Sequence, residues 1–210
     1  RILVMGVGSI LMMDEGIGIR AVEELEKRYR FPVNVEILDG GTSGIELLSY
    51  ISGKDYLIII DAIKSGNPPG TVLRVEGEDV PAQFRTRISP HQLGISDLLA
   101  AATLTDEIPK KLVLFGIEPK EIVMVIGLSD EVRASMGHLV EVVVDEQIGA
   151  GGACRDHDPR RAADRRIAPF PTDVDGRRTG QRGRHAQARQ GRRGQRPVAL
   201  CASHHGRPLP

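Results

Sequence analysis

Cysteine is nearly absent from this chain of 210 residues, and both examples, Cys154 and Cys201, fall after residue 150. Residues 1–150 therefore hold no thiol for a disulfide, a zinc ribbon or cysteine nucleophilic catalysis. No apolar run approaches the roughly 18 residues that a membrane-spanning helix needs, so membrane insertion is not expected. A secretory leader is not expected either, because the opening apolar run has only strand length and ends in glycines without a cleavage-type site. These absences leave a cytoplasmic protein as the expectation.

Lysine and glutamate are missing from one part of the chain only. Residues 151–210 carry 14 Arg and 5 Asp but no Lys and no Glu, a balance of +9, whereas residues 1–150 carry 14 Lys+Arg against 23 Asp+Glu, a balance of −9. The formal net charge of zero thus joins two unlike pieces. Residues 1–148 read as one domain, and 149–210 as a basic Arg/Gly/Pro-rich tail that lacks an apolar period and is expected to be disordered. An arm for nucleic acid is one reading of that tail. The odd pairing of many Arg with no Lys or Glu favours a reading frame translated out of register, so no nucleic-acid partner is expected.

The domain opens with RILVMGVGSILMMDEGIGIR. Ile2 to Val7 is short and branched, as a buried parallel strand is, and it breaks at Gly6, Gly8 and Ser9 before an acidic approach to a helix. A dinucleotide fingerprint would need a third glycine where Leu11 stands, and Asp14 and Glu15 oppose a pyrophosphate. The two acids suit a cation better, although they would also complement a helix dipole.

Further along, a helix is predicted from Ile17 to about Tyr29, a strand over Val33 to Leu38, and a short helix around Ile45 to Ile51. Tyr56 to Ile60 is the most apolar strand and reads as central, Thr71 to Glu76 alternates like an edge strand, and Leu112 to Ile117 is a fifth. Helices are predicted after His91 and from Ser129, read as a cap, to about Gln147, with an irregular piece over Ile122 to Gly127. The pattern is that of an open α/β sheet.

Such a sheet binds ligands at the carboxyl ends of its strands. Glu15, Asp39 and Asp61 all fall there, and His91 opens the helix after the next crossover. Singly, each has a plain structural reading as a turn former, a cap or a loop histidine. Together, carboxylates and an imidazole with room for water suit a divalent first-row metal, which polarises a carbonyl and activates water for hydrolysis.

The segments GVGSILMMDEGIGIR, EILDGGTSG, LIIIDAIKSG and ISPHQLG, in this order and spacing, closely resemble the hydrogenase maturation endopeptidases. The resemblance covers residues 1 to about 148. It implies a three-layer α/β fold, phosphorylase/hydrolase-like, with a twisted, mostly parallel five-stranded sheet carrying one antiparallel strand between helices. It implies an endopeptidase that removes the C-terminal extension of a [NiFe] hydrogenase large-subunit precursor after nickel insertion. Carried over, the metal ligands are Glu15, Asp61 and His91, and the turn Asp39, Gly40, Gly41 and Thr42 contacts the substrate. Catalysis falls to Glu15, Asp61, His91 and Asp39, with nickel presented by the precursor and other divalent metals able to substitute. Ser9 stands where many members have Asn, which leaves that ligand set unchanged. Two other readings are a non-catalytic metallochaperone or assembly factor and, with less support, a nucleotide-binding oxidoreductase.

Overall fold

Strands covered on both faces need unbroken apolar runs, and the chain supplies three that become the middle of one sheet. In the computed structural model, which describes residues 1–84, 90–152 and 155–156, the elements in order are β1 (Ile2–Val7), α1 (Ile17–Arg28), β2 (Tyr29–Arg30), β3 (Val35–Gly41), α2 (Leu48–Ile51), β4 (Tyr56–Ala62), β5 (Val72–Glu76), α3 (Asp79–Gln83), α4 (Pro90–Leu104), β6 (Lys111–Ile117), α5 (Asp130–Gly149) and β7 (Arg155–Asp156). Short 3-10 turns at Met13–Gly16 and Ile45–Leu47 precede α1 and α2. The five-stranded sheet has the order β3-β1-β4-β6-β5. All neighbours are parallel except β5, which pairs antiparallel with β6 at the edge, as its alternating sequence suggested.

Every residue of β1 and β4 is buried. Leu3, Met5, Val7, Leu57, Ile59 and Leu114 turn to one side and join Ile51, Phe84, Ile95, Leu98 and Leu99 in a single core. The alternate residues face the layer that holds α1 and α5, because side chains along a strand change face at each step. A three-layer α/β architecture results, as predicted.

The approach of α1 is unusually close. A Cβ on Gly18 would lie 2.3 Å from the carbonyl oxygens of both Val7 and Ile60, so helix backbone rests directly on the ends of β1 and β4. Only a glycine permits that contact, and it brings the start of α1 onto the carboxyl edge of the sheet.

Several local outcomes differ from expectation. β3 starts at Val35 and continues to Gly41, with a bulge that leaves Gly40 unpaired between the Gly6–Asp39 and Val7–Gly41 pairs. The predicted DGG turn is therefore largely strand. Asp79–Gln83 forms a helix that the sequence reading missed, since its single turn contains Pro81 and shows no period. β7 pairs with β2, so two residues of the predicted tail lie against the domain. Residues 85–89, and the rest of the basic tail at 157–210, lie outside the described residues, as does Cys154.

Gly18→Ala is expected to destabilise the protein by about 3 kcal/mol or more, because two backbone oxygens cannot both withdraw. Gly137→Ala in α5 meets no heavy atom within 4 Å and should add about 0.5–1 kcal/mol through helix propensity. Urea denaturation of the two variants measures both values.

Candidate functional site

The order β3-β1-β4-β6-β5 contains a reversal. From β1 the chain crosses through α1 toward β3 on one side, whereas from β4 it leads through α4 toward β6 on the other. A crevice opens at such a switch point, between the carboxyl ends of β1 and β4. Glu15 lies in the turn after β1, and Asp61 is the penultimate residue of β4. His91, at the start of α4, lies between them.

The three side chains are almost wholly enclosed, with Asp61 at 0% exposure and Glu15 and His91 at 4%. His91 Nε2 lies 3.1 Å from Asp61 Oδ1, and His91 Nδ1 lies 3.5 Å from Glu15 Oε1. Burial works against charge on the ring. The hydrogen bond with Asp61 and the charges of Asp61 and Glu15 outweigh it, and the His91 pKa is held above the ordinary histidine value. Burial likewise raises the Asp61 carboxyl, while its bonds with His91, Gln92 and the Ala62 N–H work in the opposite direction. The pair thus keeps a proton to higher pH than an isolated imidazole would.

Backbone fit fixes each member. A Cβ on Gly8, whose φ is +123°, would come within 1.9 Å of the Glu15 carbonyl oxygen, so bare backbone at Gly8 lets the Glu15 turn close down. Asp61 Oδ1 accepts from the Ala62 N–H at 2.7 Å. Gln92 Nε2 donates both to Asp61 Oδ2 at 3.2 Å and to the Ala62 carbonyl at 2.9 Å. Gln92 was missed in the sequence, where only its place beside His91 and its polarity at an inward helical position could have marked it.

Asp14 and Glu15, adjacent in sequence, have separate duties. Asp14 Oδ2 accepts from the N–H groups of Lys120 and Glu121 at 2.9 and 3.1 Å and from Ser129 Oγ at 2.8 Å, and Oδ1 accepts from the Ser129 N–H at 2.7 Å. Charge-assisted bonds of this kind make Asp14 a clamp rather than a cation ligand. Ser129 stands at the N-cap position of α5, as read from the sequence, but without a side-chain cap. Its hydroxyl makes no capping bond to α5 and is spent on Asp14.

Asp39 stands apart from the buried cluster. It is exposed at the same sheet edge, and its Oδ1 accepts the Gly41 N–H at 2.8 Å, closing the bulge. Gly40 is buried beneath it, and Thr42 is exposed next to it. His138 is exposed on α5, away from any assigned role, as read from sequence.

Among the described residues no group of three or more His, Cys, Asp or Glu side chains is arranged to hold a metal ion. The reason is geometric. Asp61 and Glu15 face opposite nitrogens of one ring, and a single ion can meet only one of those nitrogens. The donor types suit a first-row divalent ion; converging on one would require the imidazole to release a proton and a carboxylate to turn.

The family described as hydrogenase maturation protease (HycI) matches residues 19–146. The chain belongs to this family. Among curated relatives, the hydrogenase 2 maturation protease of Escherichia coli (strain K12) is 52% identical over 145 residues, which is 69% of this chain and 88% of the relative. Among solved structures, the hydrogenase maturating endopeptidase HybD from E. coli superimposes with a TM-score of 0.73 at 49% identity, covering 75% of this chain and 98% of that one. The [NiFe] hydrogenase maturation protease HybD from Thermococcus kodakarensis gives a TM-score of 0.58 at 31% identity, covering 68% and 96%.

An NMR titration of the His91 ring in this maturation protease should give a midpoint above about 6.5, and Asp61→Asn should lower it. A folded-state pKa above the unfolded-state value means that the charged ring stabilises the fold fully below about pH 6.5 and that the contribution fades as pH rises through the folded value. His91→Gln should remove that part of the stability profile. Asp14→Ala, which strands four donors, should cost about 3 kcal/mol in thermal or urea unfolding.

Proposed function

We propose that this maturation protease removes the C-terminal extension of a [NiFe] hydrogenase large-subunit precursor once nickel is in place, and that Glu15, Asp61 and His91 receive the nickel the precursor presents. The observation that carries this reading is the enclosed Glu15–His91–Asp61 cluster at the switch point. Two carboxylates against one imidazole leave the centre anionic, ready for a cationic group delivered on a polypeptide. The metal is part of the substrate, so the site works as a check on metal loading as well as a place of cleavage, and other divalent ions substitute for nickel.

The hydrolysis is of the aspartic type in the sense that carboxylates and water perform it, residues 1–150 having no cysteine. Nickel supplies the polarisation that a divalent ion gives to a carbonyl or a bound water. The chain supplies the proton acceptor, taken from Asp39 or from a carboxylate of the cluster. Asp39 is an acid at this edge that is open to solvent, and its backbone sits on a bulge, a feature that re-aims side chains beside active sites. The adjoining Gly40, Gly41 and Thr42 contact the precursor backbone.

Incubation of nickel-loaded precursor from the same genome with the protein should release a C-terminal peptide visible by mass spectrometry. Asp61→Asn and His91→Gln should each reduce the rate by about 100-fold or more, the range for loss of a group that acts on the reacting centre. Stable binding of precursor without cleavage by the unaltered protein would instead support the assembly-factor reading.

A further inference from the structure

Large apolar side chains exposed on this protein are unevenly placed. Of the twelve among the described residues, seven lie in segments that follow the carboxyl ends of parallel strands, Ile10 and Leu11, Ile45 and those at 123–126, and an eighth, Leu93, lies in the first turn of α4 beside His91. Met124 and Ile126 are the most open of these, at 84% and 71%. Scattered apolar residues on a surface need no explanation, but a concentration around one crevice does.

The loop 121–126 is also held in place. The Met13 N–H bonds the Val125 carbonyl at 2.9 Å, the Asp14 N–H bonds the Glu121 carbonyl at 3.3 Å, and the buried Asp14 carboxylate grips the Lys120 and Glu121 N–H groups. A fully enclosed carboxylate therefore fixes a loop whose own side chains are in water. Leu11 lies four residues before Glu15 and Leu93 two after His91, and the turn at Gly44 that leads to Ile45 abuts α4 at Gly94. The apolar residues thus form a collar on both sides of the anionic centre.

We propose that this collar is the docking surface for the precursor, taking an extended polypeptide whose apolar side chains flank the cationic centre delivered to Glu15, Asp61 and His91. The proposal rests on the precursor-processing function above. Charge selects the occupant. Two copies of this chain related by a two-fold axis through the collar would set anionic centre against anionic centre, with acidic Asp39 and Glu46 exposed nearby. A polypeptide carrying a cation between apolar flanks satisfies both the collar and the charge.

The test uses the full chain with Met124→Ser/Ile126→Ser and, separately, Leu11→Ser, against nickel-loaded large-subunit precursor. All these side chains face water, so melting temperatures should match that of the unaltered protein. KM for the precursor should rise roughly tenfold for the double variant with kcat retained, and Met124→Leu/Ile126→Leu should restore it. Binding of the same precursor by biolayer interferometry reads the collar independently of cleavage: a roughly tenfold loss of affinity supports the proposal even if no peptide is released, which would count against the processing reading alone. Unchanged KM and affinity in both variants would overturn the proposal and leave that reading standing. A dimer in sedimentation that the double variant disperses, with precursor affinity unaltered, would overturn it in favour of a second copy.

Discussion

A carboxylate removed from water must be surrounded by donors, and this domain encloses four of them near one end of its sheet. Asp61 shows how the requirement is met: its oxygens take the Ala62 N–H, the Gln92 amide and the His91 ring, and the last of these brings Glu15 into the group. The turn after β1, the end of β4 and the start of α4 are thereby tied together at the switch point. The site and the local structure are one set of interactions.

The remaining two enclosed acids fix the loops beside that site. Asp14 holds the 120–121 backbone and the start of α5, while the Glu118 Oε2 accepts from the N–H and hydroxyl of Ser65 at 2.6 and 2.5 Å and from the Asn67 N–H at 3.3 Å. Each acid replaces hydrophobic packing with fixed directional bonds, so irregular loops at 64–70 and 119–129 gain definite positions without apolar cores of their own. Glu15 and Asp61 differ from them in facing an imidazole rather than a ring of backbone donors, and that difference marks them as the acids proposed for the chemistry.

Much of this was readable in the sequence. Apolar runs marked the central strands, alternation marked β5, and the positions of Glu15, Asp39 and Asp61 after strand ends placed them on one edge, with His91 opening the helix after the next crossover. Strand order was not readable, because no residue of β1 or β4 announces its neighbour, and so the switch point stayed hidden. Nor could the sequence distinguish Asp14 from Glu15: the partners of Asp14 lie more than a hundred residues away, and one is a serine that local rules assign to a helix cap. The bulge at Gly40 and the short helix at Asp79–Gln83 are likewise set by tertiary register rather than by period.

The central claim is that the enclosed cluster reads the metal carried by the precursor before cleavage proceeds. The most direct measurement compares cleavage of nickel-loaded and nickel-free precursor by the unaltered protein, followed by mass spectrometry of the released peptide. The account predicts release from the loaded precursor only. Equal rates from the two would contradict it.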